Sequence, residues 1–149
     1  MVRYLFQVVL LLAVAAYAWR RGGWPERTAA VALVVVASVD RAYHALVDAP
    51  QFREVDIWHM SLDLALLSVM VGLALRAPRV WVLWLASLQM ISALGHFLHL
   101  VEVAMPPLVY GIMTVAPSYL QILLLAVGTY LNDRLRLDSP TTSPPYSPR

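Results

Sequence analysis

Residues 29–47 read AAVALVVVASVDRAYHALV, an apolar run that carries Asp40, Arg41 and His44 near its end. About 20 mostly apolar residues are enough for a helix to cross the hydrocarbon layer of a membrane. A charged side chain inside that layer is costly unless a partner, a water-filled cavity, a metal or a cofactor compensates it. The run therefore predicts a membrane-spanning helix, and its polar residues predict a functional or structural site within it.

The composition of the whole chain is also typical of a membrane protein. Of its 149 residues, 60% are hydrophobic and 13% are charged, and the mean hydropathy is +0.68, whereas soluble domains have about 25% charged residues. All eleven basic residues are arginines that lie mostly at the ends of apolar runs, so membrane lipid is an expected partner and nucleic acid is not. The absence of cysteine excludes disulfides and thiolate metal sites.

Five apolar runs are predicted to form transmembrane helices, at residues 4–19, 29–47, 56–75, 80–103 and 108–131. They give an all-α bundle over residues 1–137, followed by a Pro-rich tail over residues 138–149 that is expected to be extended. Thr28 is a candidate N-cap for the second run. The first run also resembles a signal peptide with a cleavage site at Ala16-Tyr17-Ala18, but basic residues follow it rather than precede it, which favours a retained helix.

The distribution of arginines predicts the orientation of the bundle. One side has only Arg3 and Arg53, whereas the turns and the chain end on the other side carry Arg20, Arg21, Arg27, Arg76, Arg79, Arg134 and Arg136. Because positive residues concentrate in cytoplasmic segments, we expect the N-terminus outside and the C-terminus in the cytoplasm. Tryptophans at positions 19, 24, 81 and 84 would then mark the cytoplasmic interface.

The ionisable residues of three predicted helices fall in the same half of the membrane, the half that faces outward. Asp40 and His44 are four residues apart, as are His59 and Asp63, so each pair lies on one helical face. A stripe of Gln89, Ser92, His96 and His99 follows the fourth run, and Tyr110, Thr114, Ser118 and Gln121 share one side of the fifth. The predicted polar cluster comprises Asp40, Arg41, His44, His59, Asp63, His96, His99 and Glu102.

Three interpretations of this cluster remain open. It is structural if Asp40 or Asp63 pairs with Arg41 and each histidine donates to a carboxylate or a carbonyl, which fixes the register of the helices. It is a site for zinc, iron or manganese if His44, His96, His99 and Asp63 are ligands, or for a non-covalent haem if His44 faces His96 or His99. It is part of a path for protons or a small solute if further polar groups continue it across the membrane, although the other half of these helices is almost purely apolar.

Several motifs resemble those of one known group of proteins. They are Trp24-Pro25-Glu26-Arg27, the turn Arg76-Ala77-Pro78-Arg79 with Trp81 and Trp84, Pro117-Ser118-Tyr119, and a Leu-rich helix that ends near Arg134 and Arg136. The chain is similar in these features to small multi-span inner-membrane proteins of GC-rich bacteria, a group without an assigned function. The resemblance implies topology only, and the expected location is the bacterial inner membrane.

The function expected from the sequence is that of a small, non-catalytic inner-membrane subunit that packs against a larger membrane complex. Tight turns leave no room for a separate catalytic domain, and no hydrolase signature such as HExxH is present. In the tail, Tyr146 is the one aromatic residue and the candidate anchor on a partner subunit. The alternatives are a metal- or haem-binding redox protein and a component of proton or solute transport.

Overall fold

A computed structural model of the protein describes residues 2–46, 57–101 and 106–137. Within these ranges the chain forms helices and no strands: α1 (Val2–Arg21), α2 (Trp24–Leu46), α3 (Ile57–Arg76), α4 (Val80–Leu100) and α5 (Pro107–Leu137). The predicted all-α fold is confirmed. Four helices, α2 to α5, are long and apolar enough to cross a membrane, and the count of five spans with its orientation stays a prediction.

The helices form a ring in chain order. Each helix packs against the next, α1 closes the ring against α5, and α2 also contacts α5. Met70, Leu85 and Leu125 are fully buried in the shared core. Small residues, Ala18 and Ala29, let α1 and α2 approach each other closely, which is typical of helix contacts in membranes.

The connection between α1 and α2 is shorter than the sequence predicted. The helices are separated only by Gly22 and Gly23, and α2 begins at Trp24 rather than after Thr28. The prediction that Thr28 caps this helix was wrong, because its hydroxyl donates to the carbonyl of Trp24 within the helix, at 2.9 Å. Glu26 explains the early start: its Oε2 accepts a hydrogen bond from the backbone N–H of Gly23 at 2.8 Å, as the third residue of a capping box does.

Two glycines permit close approaches that any larger residue would prevent. A Cβ atom on Gly22 would lie 2.4 Å from the carbonyl oxygen of Ala18, so the turn out of α1 depends on glycine. A Cβ atom on Gly128 would lie 2.5 Å from the buried ring of Trp81, so α5 packs directly against this ring of α4. Both contacts lie toward the end of the bundle where α1 and α5 finish.

The last helix is longer than the predicted fifth span. It begins at Pro107, where the missing N–H of proline costs no helical hydrogen bond, continues through Pro117 and ends at Leu137. The predicted extension of the fourth span to residue 103, the loop at residues 48–55 and the tail at residues 138–149 lie wholly or partly outside the described residues.

Candidate functional site

The structure divides the predicted polar cluster into two groups, and α3 contributes one residue to each. The rim triad consists of Asp40 and His44 on α2 and His59 on α3. The buried network extends from Asp63 on α3 into α4 and α5, and consists of Asp63, Gln89, Ser92, His96, Tyr110 and Gln121.

Two imidazole nitrogens and one carboxylate oxygen lie close together in the rim triad. Nε2 of His59 lies 2.8 Å from Oδ1 of Asp40, and Nε2 of His44 lies 3.7 Å from the same oxygen. The two Nε2 atoms are 3.2 Å apart. Asp40 and His44, which share one face of α2 as their spacing predicts, thus lie beside each other, and His59 joins them from the neighbouring helix.

The carboxylate oxygen at the centre of the rim triad is not satisfied by hydrogen bonding. Oδ1 of Asp40 is buried and accepts no hydrogen bond from the described residues, although two imidazole nitrogens lie close to it. A buried acceptor without a donor is rare and calls for an explanation, such as an ion. The side chains of Asp40 and His59 are about one third exposed, so an ion has access to the triad.

Aromatic rings hold the two helices together beside the rim triad. Tyr43 and Trp58 stack with their ring centroids 4.7 Å apart and an angle of 19° between their planes. The ring of Tyr43 also meets the edge of His44 at 5.4 Å. These contacts position His44 on α2 and His59 on α3 relative to each other, since Tyr43 and Trp58 are their immediate neighbours in the chain.

The buried network is centred on the carboxylate of Asp63. Its Oδ2 accepts a hydrogen bond from Ser92 at 2.5 Å and lies 3.2 Å from Nε2 of His96, and its Oδ1 accepts one from Gln89 at 2.9 Å. The other ring nitrogen of His96 is 2.9 Å from the hydroxyl of Tyr110. Both carboxylate oxygens of Asp63 and both nitrogens of His96 therefore have partners.

The network continues toward the middle of the bundle. Nε2 of Gln121 donates to Oε1 of Gln89 at 2.8 Å, and both glutamines are buried. A separate hydrogen bond of 2.8 Å, from Gln7 to Ser118, connects α1 to α5. The first contact joins the consecutive helices α4 and α5, and the second joins the first helix to the last, which is the behaviour expected of polar groups that fix helix packing in membranes.

A third polar group, at the opposite end of the bundle, was not identified from the sequence. Glu26 is fully buried, and its Oε1 accepts a hydrogen bond from Nη1 of Arg79 at 2.5 Å. The same nitrogen also lies 3.2 Å from Oδ1 of the buried Asn132. Both charged residues fall in the turns predicted between the spans, and the one available signal was the acidic Glu26 at the third position of a helix that starts after Gly23.

Of the remaining residues of the predicted cluster, only Arg41 has a side chain that the structure describes. Arg41 is exposed on α2, whereas the contacts of Asp40 and Asp63 described above are with histidines, Ser92 and Gln89. The side chain of His99, like Glu102 and Tyr146, lies outside the described part of the chain. His44 and His96 belong to different groups, and His96 has both ring nitrogens engaged, which does not favour a haem between these two histidines. The alternative pairing of His44 with His99 lies outside the described residues.

Comparisons with known proteins give no further guide to the function of either group. No protein-family model matches the chain, and no curated protein or solved structure is significantly similar to it. Function must therefore be inferred from the chemistry of the rim triad and the buried network.

Proposed function

We propose that this protein is a multi-pass membrane protein that binds one divalent transition-metal ion at the rim triad. The convergence of Oδ1 of Asp40 with Nε2 of His44 and of His59 carries this proposal. Two imidazoles and one carboxylate are a common ligand set for zinc and iron.

The distances in the rim triad fit such an ion. With metal–ligand bonds of about 2.05 Å, two ligand atoms are about 2.9 Å apart at a right angle and about 3.3 Å apart at the tetrahedral angle. The three separations are 2.8, 3.2 and 3.7 Å. A metal ion would thus require shifts of only a few tenths of an ångström and would supply the partner that Oδ1 of Asp40 lacks.

The arrangement supports an open site rather than a closed structural one. Three protein ligands leave at least one coordination position for water or an external ligand, as in catalytic zinc sites and in iron sites with two histidines and one carboxylate. Cysteine is absent from the chain, so the site has no thiolate ligand and favours ions that accept nitrogen and oxygen donors.

The proposal includes the topology predicted from the sequence. We propose five spans in a bacterial inner membrane, with α1 as the first span, an external N-terminus and a cytoplasmic C-terminus. The arginines at the α1–α2 and α3–α4 turns and at the end of α5 support this orientation. Reporter fusions at Arg149 and within residues 48–55 test it, and an external signal from the fusion at Arg149 would contradict it.

The role of an accessory subunit in a larger complex stays a prediction. Large apolar side chains cover the outward faces of the helices, among them Phe6, Val35, Leu83 and Phe97. Such faces suit lipid chains and the helices of a partner protein equally well. They therefore give no evidence for a partner protein, which an accessory role would require.

Metal content measured on the purified protein tests the proposed site. The full chain is purified in detergent, loaded with zinc and freed of excess metal. Elemental mass spectrometry should then find one zinc ion per chain. Asp40→Asn, His44→Gln and His59→Gln each remove one ligand while nearly preserving its shape, and each should lower zinc affinity at least tenfold, as the loss of one of only three ligands implies.

His96→Gln is the matched control, because it removes a histidine of the buried network and leaves the rim triad intact. It should bind zinc like the unsubstituted protein, with gel filtration reporting that each variant is folded. Failure of the unsubstituted protein to bind zinc, iron(II) or manganese(II) would refute the proposal. Equal loss of binding in folded His96→Gln and His59→Gln variants would also refute the assignment to the rim triad.

A further inference from the structure

We infer that a second site, at the end of the bundle opposite the rim triad, binds an anionic phospholipid. It is a groove of about 650 Å³ in which the start of α2 meets Trp19 of α1, Val69 of α3 and Arg136 of α5. The inference does not depend on the proposed metal site, since the two share no residue.

The mouth of this groove is positively charged. Arg27 and Arg136 line it, and the guanidinium of Arg27 is held over the ring of Trp19, 5.7 Å from its centroid. An Nη atom of Arg136 lies 3.5 Å from the place that a Cβ atom would take on Gly23. Two arginines at the edge of a membrane helix pair are well suited to a phosphodiester group.

Within residues 2–46, 57–101 and 106–137, the nearby acidic side chains do not neutralise these arginines. Glu26 is already engaged by Arg79 and the backbone of Gly23, and Asp133 lies 3.6 Å from Arg21. Among the described residues that line the groove, none is acidic. The mouth therefore retains a positive charge that an anionic ligand would balance.

Below the mouth the groove is apolar. Val31, Ala32 and Val35 follow Arg27 along α2, and Val69 of α3 faces the same space. Arg27 and Val35 are eight residue steps apart, which is about 12 Å at 1.5 Å per step, a depth that accommodates part of an acyl chain. Val31 and Val35 are about half exposed, so this surface is open to the hydrocarbon of the membrane.

A second groove lies beside the first and would take a second chain. It has a volume of about 520 Å³, shares Trp24, Thr28 and Val69 with the first, and ends near Arg76 of α3. Trp19 and Trp24 are suited to the headgroup level, where tryptophan is enriched in membrane proteins. The positively charged mouth suits the phosphate of a diacyl lipid, and the two adjoining apolar grooves suit its two acyl chains. A helix of a partner protein fits less well, because it would place apolar residues against the arginines.

Native mass spectrometry of the full chain with phosphatidylglycerol, and separately with phosphatidylcholine, tests the inference. Phosphatidylglycerol should bind more tightly, and the double variant Arg27→Gln/Arg136→Gln should weaken it roughly twenty-five-fold, by a factor of about five for each arginine near an anionic lipid. Binding of phosphatidylcholine should not change, and Arg27→Lys/Arg136→Lys should keep most of the preference.

The matched control is Arg20→Gln/Arg134→Gln, which removes the same charge at the same end of the bundle without touching the groove. This variant should bind phosphatidylglycerol like the unsubstituted protein. Equal weakening by both double variants, equal binding of the two lipids, or a change in dimerisation instead of lipid binding would each overturn the inference. Zinc binding should be the same in all of these variants, which separates this result from a failure of the metal site.

Discussion

The rim triad and the buried network contain the same kinds of side chain, but they differ in how well those side chains are satisfied. His59 and Asp63 lie one turn apart on α3. His59 contacts Asp40 of α2, and Asp63 contacts His96 of α4. In the buried network every polar atom of Asp63 and His96 has a partner. In the rim triad Oδ1 of Asp40 has two nitrogens beside it and no hydrogen bond.

This difference separates a structural role from a ligand-binding role. A fully satisfied polar network within a helical bundle holds the helices in one register. A carboxylate oxygen that accepts no hydrogen bond remains available to an ion, and its missing hydrogen bond lowers the stability of the ion-free protein. Identical residue types thus have different roles because of the groups that surround them, and four experiments test the distinction.

The largest expected effect is on the free energy of unfolding when Asp63 is removed. Asp63→Ala leaves Gln89, Ser92 and His96 without their shared acceptor, and should lower the stability of the metal-free protein by about 2–3 kcal/mol. Asp40→Ala should cost below about 0.5 kcal/mol, because Oδ1 of Asp40 makes no hydrogen bond and the side chain is partly exposed.

Unfolding of both variants by sodium dodecyl sulfate, monitored by circular dichroism in detergent, measures these free energies. Asp63→Asn serves as the control, since it keeps an acceptor for Ser92 or Gln89 and should lose less stability than Asp63→Ala. Equal losses in Asp63→Ala and Asp40→Ala would remove the contrast between the two groups.

The next effect is the stabilisation of the protein by metal. If the rim triad binds zinc, free zinc at ten times the dissociation constant should raise the free energy of unfolding by about 1.4 kcal/mol. Asp40→Asn, which binds zinc at least tenfold more weakly, should reduce this increase to about 0.4 kcal/mol or less while unfolding normally without metal, and Tyr110→Phe should retain it in full. A zinc-induced increase that persists in Asp40→Asn would assign the ion to another site.

The sequence was sufficient to predict the parts of the fold that depend on periodicity and length. The apolar runs gave the helices of the bundle, and the spacing of four residues gave the shared face of Asp40 and His44. The spacing also placed Gln89, Ser92 and His96 on one side of α4, where they are buried. These features are local, so they follow from the pitch of a helix.

Features that depend on how one helix packs against another could not be predicted. The division of one polar cluster into two requires the rotation of α3 relative to α2 and α4, which no single periodic pattern specifies. The ion pair of Glu26 and Arg79 joins residues 53 positions apart, each in a different predicted turn, and no local pattern relates two turns to each other. The short turn at Gly22 and Gly23, which moves the start of α2 to Trp24, is the reason that Glu26 lies inside the bundle.

A smaller effect is expected from one hydrogen bond within the buried network. Tyr110→Phe removes the hydroxyl that pairs with Nδ1 of His96 and leaves the ring in place, so it should cost about 1 kcal/mol of stability. Thermal unfolding in detergent measures the loss. A change in zinc affinity in this variant would indicate that the two groups are coupled through α3 or α4, which the division into separate groups does not predict.

The smallest effect is expected for His59→Ala in the metal-free protein. His59 is about one third exposed, and the loss of its contact with Asp40 leaves that carboxylate partly accessible to water, so stability should change by less than about 0.5 kcal/mol. The buried His96 provides the comparison: His96→Ala removes one partner each from Asp63 and Tyr110 inside the bundle and should cost several times as much. Unfolding by sodium dodecyl sulfate of the two histidine variants, each with a chelator present, measures both values under the same conditions. If both substitutions leave stability unchanged, water reaches His96 as readily as His59, and the buried network has no structural role. If both substitutions lower stability equally, the rim triad is itself part of the packing that holds α2 against α3.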